Sequence, residues 1–196
     1  MKRPYSLFMK SSSLLILCFL QLYQVTMAQV KYHSKDYVNL LVSGSSTLHD
    51  WDMKSAKGNC TVLFNFNKAG ELTGLSTLKF VTPVEGLKSG HSGMDRNAYN
   101  ALKADKNPTI VFIITSGTIE ADSTIKCNGK LTIAGLTKDA DLMASYKINA
   151  DKSVTVSGIK KISMSDFNIT APSFMMGAIK TGNEITFKFD LTLSKQ

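Results

Sequence analysis

Apolar and polar residues alternate along much of the chain beyond residue 28. The clearest case is the segment 185–193, in which an apolar residue occupies every second position and a polar or charged residue lies between each pair. The same period of two occurs at 38–42 and at 60–66. Successive side chains of a β-strand point to opposite faces, so these segments are predicted to be strands with one buried face.

The segment 128–142 predicts a β-hairpin. Leu131 and Ile133 share one face of an alternating pattern, and a second alternating pattern follows along the chain. Between them, Gly135 and the polar residues 137–139 are expected to supply the reversal.

Two segments depart from simple alternation. Residues 109–115 are apolar on both faces, which predicts a strand covered on each side. Residues 92–104 show helical spacing of apolar residues, with Ser92 as the expected N-cap and Asp95 three residues later, and Pro108 ends the pattern. Seven or eight strands, one inserted helix and no βαβ rhythm predict an all-β antiparallel sandwich or barrel.

The beginning of the sequence predicts a signal peptide. A basic region with Lys2, Arg3 and Lys10 precedes an apolar run at 14–22, and small residues lead up to Ala28. The run is well short of the roughly 20 residues that cross a bilayer, so a removed leader is favoured over a retained membrane helix. We therefore expect residues 1–28 to be cleaved, residues 29–196 to form one domain, and the mature protein to be periplasmic or secreted.

Charge and motifs narrow the range of functions. The chain carries a formal charge of +8, and loss of the three leader cations leaves +5, almost all of it on scattered lysines. Arginine-rich patches and glycine-rich phosphate loops do not occur, so no nucleic acid or nucleotide partner is expected. Arg96, the single arginine after the leader, is read either as a surface cation or as a group that holds the polar head of a ligand.

The histidines predict neither catalysis nor a metal site. Neighbours on an extended segment point to opposite faces, so His49 and Asp50 do not form a base and its orienting group. His33, His49 and His91 lack the close spacing of zinc ligands. No catalytic residue, metal or cofactor is predicted, and the protein is not expected to be an enzyme.

Two cysteines follow the leader, and two interpretations of them stay open. Cys60 and Cys127 each share the phase of neighbouring strand residues that point inward. An even number of cysteines in an exported protein permits a disulfide, but inward orientation alone does not make two residues neighbours. The alternative is a pair of buried thiols.

Five short segments together resemble the YceI-like family. They are STLHDW at 46–51, MDR at 94–96, NPTIVF at 107–112, GKLTIAGLTK at 129–138 and SMSDFNI at 163–169, in the family's order. Many members have glycine after the Asp-Phe pair, whereas this chain has Asn168. Because asparagine tolerates the left-handed conformation better than most residues, the turn is expected to survive.

The resemblance implies a lipocalin-like antiparallel β-barrel of about eight strands that binds a polyisoprenoid lipid or an isoprenoid quinone as a carrier or buffer. Periodicity alone favours a plain core, and the resemblance favours a ligand-binding bore. The apolar wall of that bore would comprise Val62, Phe64, Phe66, Ile110, Phe112, Ile185, Phe187, Phe189 and Leu191. His49, Trp51 and Arg96 are the candidates for the mouth or for the ligand's head group.

Other readings stay open beside this one. A barrel filled by side chains could serve as a structural protein of the envelope through its outer surface. A hydrolase or isomerase acting on a similar lipid is less favoured, because no paired titratable residues are found for it. Homodimerisation and transient contact with a membrane are also left open.

Overall fold

The computed structural model describes residues 28–196, and within that range the protein is almost entirely β-structure. The predicted leader therefore lies outside the described residues, apart from Ala28. The strands are β1 Ala28–Ser46, β2 Trp51–Ser55, β3 Asn59–Phe66, β4 Leu72–Pro83, β5 Thr109–Ile119, β6 Thr124–Ile133, β7 Leu136–Ile148, β8 Val154–Ser163, β9 Ser173–Phe174 and β10 Ile179–Lys195. The α-helix α1, Ser92–Ala101, lies between β4 and β5.

Eight of these strands close into an antiparallel barrel. The order of hydrogen-bonded neighbours is β1, β3, β4, β5, β6, β7, β8 and β10, and β10 pairs back onto β1. The short strand β2 pairs with the second half of β1, and β9 extends the edge of β10. The barrel with one short helix predicted above is confirmed.

The alternation of apolar and polar residues decides which side chains of a strand face the barrel interior. On β10, Ile185, Leu191 and Leu193 are buried, and on β1 the residues Val38 and Leu40 are at most 4% exposed. These two strands therefore bury an apolar side, as the period of two predicts.

The interior divides into two parts that differ in packing. The packed half is the core cluster around Val62, Phe64, Val154 and Leu193. Two of its aromatic rings meet edge to face: the centroid of the Tyr32 ring lies 5.4 Å from that of Phe64. The helix half is the second cluster, which lies beneath α1 and includes the buried residues Leu40, Val42, Met53, Val84, Leu87, Ala104, Ile110, Ile133, Ala134, Met164, Phe167, Ile169 and Ile185.

The reversal of the 128–142 hairpin lies earlier than predicted. β6 and β7 are joined by Ala134 and Gly135 alone, with φ of 51° and 83°. Two successive positive φ angles are those of a type I′ turn, whose twist matches that of the flanking strands. Residues 137–139 therefore belong to β7, where Thr137 pairs with Thr132.

Two further local predictions are wrong and one is confirmed. The strand at 109–115 buries one face only, since Ile113 is 45% exposed on the outside of the barrel. The N-cap of α1 is His91 rather than Ser92. Asn168 does adopt the left-handed conformation, with φ 52° and ψ 35°, so the turn survives without glycine.

Candidate functional site

A cavity of about 410 Å³ lies in the helix half, between α1 and the barrel wall. Almost all of its surface is apolar, because the inward faces of β1, β2 and β10 meet the underside of α1 there. The residues that line it are Val42, Ser46, Leu48, His49, Trp51, Met53, Leu87, Gly93, Met94, Asn97, Ala98, Ala101, Leu102, Ile110, Ile133, Met164, Ile169, Pro172, Phe174, Ile179, Thr181, Ile185 and Phe187.

Helix α1 forms the roof of this cavity. The apolar residues that gave the segment its helical spacing, Met94, Ala98, Ala101 and Leu102, all line it. On another side of the helix, the Tyr99 hydroxyl lies 2.6 Å from the Leu87 carbonyl oxygen and donates to it. The roof is therefore held by a polar contact that does not obstruct the interior.

A buried carboxylate fixes the start of α1. Asp95 accepts hydrogen bonds from the Ser89 backbone N–H at 2.8 Å and from the Ser89 hydroxyl at 2.7 Å. Desolvation opposes ionisation, but these hydrogen bonds and the nearby Lys88 ammonium outweigh it and lower the pKa of Asp95. Because Asp95 stays charged, its two hydrogen bonds to Ser89 keep α1 attached to the preceding segment.

Trp51 and His49 lie on the wall of the cavity, at the end of the barrel near its opening. Trp51 pairs with Gly44 in β1, and its ring lies so close to Gly44 that any Cβ there would clash with it. The Trp51 Nε1–H donates to the Ser45 carbonyl at 3.0 Å. The ring is therefore fixed with one face toward the cavity.

His49 supplies one of the few polar groups near the opening. Its Nδ1 lies 2.7 Å from the Asp50 carbonyl oxygen, and a carbonyl can only accept. The Nδ1 therefore carries the proton, which leaves Nε2 of the neutral ring as an acceptor. Ser46, Asn97 and Thr181 are the other polar side chains along the lining.

A second cavity of about 120 Å³ lies on the side of the packed half. Ile110 and Phe187 line both cavities, so these two side chains form the partition between them. The small cavity is apolar except for Thr82, Asp141 and Lys160.

The predicted bore residues are distributed over both cavities. Ile185 lines the large cavity, Ile110 and Phe187 line both, and the small cavity is also lined by Phe64, Phe112, Phe189 and Leu191. Val62 and Phe66 line neither, and both pack within the core of the packed half. Phe66 lies 6.3 Å from Phe64 between ring centroids, as part of the aromatic cluster.

Arg96 is separate from the two other predicted mouth residues. It lies on α1 with its side chain exposed, and it does not line either cavity. The structure therefore brings His49 and Trp51 together at the large cavity and leaves Arg96 on the outer surface of the roof.

The two cysteines are free and buried, and both line the small cavity. Burial and, to a lesser extent, the neighbouring Cys127 raise the pKa of Cys60 to about 12. Burial likewise raises the pKa of Cys127 to about 11. Both thiols are therefore protonated and unreactive at neutral pH.

Sequence patterns missed part of the site. The segment 164–179 folds over the barrel end and contributes Met164, Ile169, Phe174 and Ile179 to the large cavity. It alternates too little to be recognised as a strand, and short 3-10 turns interrupt it. Its density of apolar residues was one available signal, and its first part, 163–169, was recognised only as a segment that resembles the YceI-like family.

Groups that could support other chemistry are sparse. Across residues 28–196, no cluster of three or more histidine, cysteine or acidic side chains could hold a metal ion. No helix in the same range combines the length and apolar character needed to cross a membrane.

Together, the closed strands and the roofed cavity define a small antiparallel β-barrel with an apolar cavity inside it. The model of the YceI-like domain matches residues 33–193, and the chain therefore belongs to the YceI-like family. No curated protein matches the sequence.

Solved structures agree on the fold. BcnA of Burkholderia cenocepacia is 16% identical with a TM-score of 0.67, over 80% of this chain and 96% of BcnA. A polyisoprenoid binding domain from Saccharophagus degradans is 10% identical with a TM-score of 0.62, over 86% of this chain and all of that domain. The YCEI protein of Campylobacter jejuni is 20% identical with a TM-score of 0.54, over 71% and 84% of the two chains.

Proposed function

We propose that this protein is an exported carrier or buffer that holds an isoprenoid lipid, either a polyisoprenoid or an isoprenoid quinone, in the cavity beneath α1. The observation that carries the proposal is the size and lining of that cavity. Its volume of about 410 Å³ lies within the range of about 300–1,000 Å³ typical of small-molecule sites. A filled barrel would leave no such space.

The lining suits a flexible apolar chain. Met53, Leu87 and Ile133 are each at most 3% exposed and offer no hydrogen bonds through their side chains. Water in such a space lacks polar partners, and each buried methylene of a ligand contributes roughly 0.8 kcal/mol before the cost of ordering the chain. The cavity therefore favours hydrocarbon over water.

The polar side chains of the lining, Ser46, His49, Asn97 and Thr181, are exposed or half-buried, so a head group would lie beside them and near solvent. An acceptor at His49 Nε2 can take a hydrogen bond from a hydroxyl, and the Asn97 amide can donate to a carbonyl. A lipid with an apolar chain and a small oxygen-bearing head matches this distribution. The polyisoprenoid binding domain of similar fold supports the choice of an isoprenoid.

The support for export comes from the sequence rather than from the cavity. The basic start, apolar run and small residues before Ala28 support cleavage there and a periplasmic or secreted mature protein. The test is N-terminal sequencing of the protein recovered from the periplasm and from the medium. A mature chain that still begins at Met1 would contradict this part of the proposal.

Ligand binding is tested through Trp51, the one tryptophan of the chain. Because its indole lines the large cavity, titration with a short-chain ubiquinone is expected to quench its fluorescence. Mass spectrometry of lipids that purify with the protein from its host would then identify the natural ligand. No quenching and no co-purified isoprenoid would together overturn the proposal.

A matched pair of variants on α1 separates the cavity from the surface. Ala98→Phe places a ring inside the large cavity and is expected to weaken binding of the quinone about tenfold or more. Asn100→Phe adds the same ring at an exposed position of the same helix and is expected to leave binding unchanged. Equal affinities in the two variants would place the ligand elsewhere.

A further inference from the structure

The barrel wall is incomplete between β7 and β8. These strands pair only from Ala144–Ile148 with Val154–Gly158. β7 extends back to Leu136 and β8 extends on to Ser163, and within residues 28–196 the β7–β8 ladder does not continue along those extensions. The 3-10 turn at 164–167 lies against β7 and bounds the gap at its other end.

Lys160 passes through this gap. It follows the inward phase of Val154, Val156 and Gly158, and it pairs with the inward residue Phe187 of β10. Its ammonium nevertheless lies 2.9 Å from the Asp141 carboxylate, whose side chain is 80% exposed on the outward phase of β7. In an intact wall a side chain on the inner face could not reach an outward neighbour, so the ion pair spans the gap.

The small cavity extends to this gap from inside. Ala140, Asp141 and Leu142 line it from the β7 edge, and Lys160 lines it from the β8 edge. The lysine therefore contributes its apolar stem to the cavity and keeps its charge at the surface.

The outer surface beside the gap is apolar. Met143 and Ile159 directly adjoin the last paired residues of the two strands, and they are 56% and 59% exposed. They are two of the five large hydrophobic residues that the described part of the chain leaves exposed. An apolar path thus continues from the small cavity to the surface.

We propose that the small cavity is a second subsite, for the distal part of an apolar chain, and that the chain enters and leaves it sideways through the β7–β8 gap, with the Lys160–Asp141 ion pair as the latch. This inference rests on the proposed function, because it takes the chain to be the tail of the isoprenoid held beneath α1. A tail too long for the large cavity passes the partition formed by Ile110 and Phe187 and occupies the small one.

Cross-linking the gap tests the route directly. Asp141→Cys combined with Lys160→Cys places one thiol at the exposed position 141 and one at position 160 on the inner side of the gap, and a short bis-maleimide that enters the gap joins them at pH 7. The native Cys60 and Cys127 react little there, since their pKa values are about 12 and about 11. Release of a dansyl-labelled geranylgeranyl probe into phosphatidylcholine vesicles is expected to slow about tenfold after cross-linking.

Two controls accompany that measurement. Lys130 and Asp139 form an ion pair of 2.6 Å between β6 and β7, where the ladder is intact, so the cross-linked Lys130→Cys/Asp139→Cys variant is expected to release the probe at the wild-type rate. A dansyl-labelled geranyl probe, short enough for the large cavity, is expected to be released at the wild-type rate from both cross-linked variants. Unchanged release of the long probe from the variant linked at 141 and 160 would overturn the proposal.

A second measurement does not depend on isoprenoid binding. Asp141→Lys places two ammonium groups at the gap and is expected to open it, whereas Asp139→Lys, whose ion-pair partner Lys130 lies on β6, leaves the Lys160–Asp141 pair across the gap intact. At pH 9, N-phenylmaleimide should then modify Cys60 and Cys127 several-fold faster in Asp141→Lys than in Asp139→Lys, as followed by intact mass. Equal rates would overturn the side entrance, whereas faster labelling without any isoprenoid binding would refute the proposed function and leave an apolar entrance for another ligand.

Discussion

The two halves of the barrel have walls of the same kind but differ in how far side chains fill the space inside. In the packed half, aromatic and branched side chains meet at the axis, and Val62 and Val154 have no exposed surface at all. In the helix half, smaller residues on α1 such as Ala98 and Ala101 face the interior and leave about 410 Å³ unfilled. Dense packing at one end therefore stabilises a barrel whose other end stays open for a ligand.

The largest expected effect concerns two phenylalanines, one from each half. Phe64→Ala removes a ring that is 1% exposed and is expected to lower the free energy of unfolding by about 3–5 kcal/mol. Phe187→Ala removes a half-buried ring that borders both cavities, whereas Phe64 borders the small one alone. We expect a loss below about 2 kcal/mol because the Phe187 ring has fewer contacts to lose. Urea denaturation without ligand measures both, and equal losses would refute the contrast between the halves.

The next largest expected effect is the stabilisation of the folded protein by a bound ligand. At a free concentration of one hundred times its Kd, a bound isoprenoid should raise the free energy of unfolding by about 2.7 kcal/mol. With a geranyl compound, short enough for the large cavity, hydrogen exchange should show the local gain in protection in α1 and in residues 164–179, with little change in β3. If β3 gained as much protection as α1, the ligand would lie in the packed half instead.

The smallest expected effect is a dependence of stability on pH, which tests whether water is excluded from the packed half. The unfolded Cys60 thiol titrates near its ordinary value of 9.0, whereas burial raises its pKa to about 12 in the fold. The unfolded state therefore loses this proton first, so stability is complete below pH 9 and falls as the pH rises toward 12. Between pH 7 and pH 10 this thiol should cost about 1.4 kcal/mol of stability.

Cys60→Ala checks that value. The variant should lose less stability between pH 7 and pH 10 than the wild type, whatever its stability at pH 7. An identical pH dependence would mean that water reaches the Cys60 thiol freely in the folded protein.

Much of the fold could be predicted because its signals are local. The alternation along 185–193 correctly gave the inward face of β10, and the tolerance of asparagine for positive φ correctly gave the turn at Asn168. The exact reversal of the hairpin could not be predicted in the same way, because Ala134 is an unusual residue at positive φ. The outward exposure of Ile113 depends on which strands cover it, and that is a tertiary property.

Less of the site could be predicted, because it depends on distances between strands. From the composition, Lys160 is one of many scattered lysines expected on the surface. Only the alternation along β8 shows that its side chain leaves the strand on the inner face. Whether residues such as Phe187 fill the interior or border a cavity is likewise decided by the separation of the walls. The alternation of apolar and polar residues is the same whether these side chains fill the interior or border a cavity.

The pairing of β1 with β10 has a consequence for how the protein forms. Tyr32 pairs with Lys195, and the Gln196 backbone N–H donates to the Lys31 carbonyl, so the barrel is closed by strands that lie almost the whole described chain apart. Contacts between residues so far apart in the sequence form late and slowly. During synthesis the chain cannot close its barrel until β10 has left the ribosome, and until then the edges of β1 and β8 are free to pair with the wrong partner.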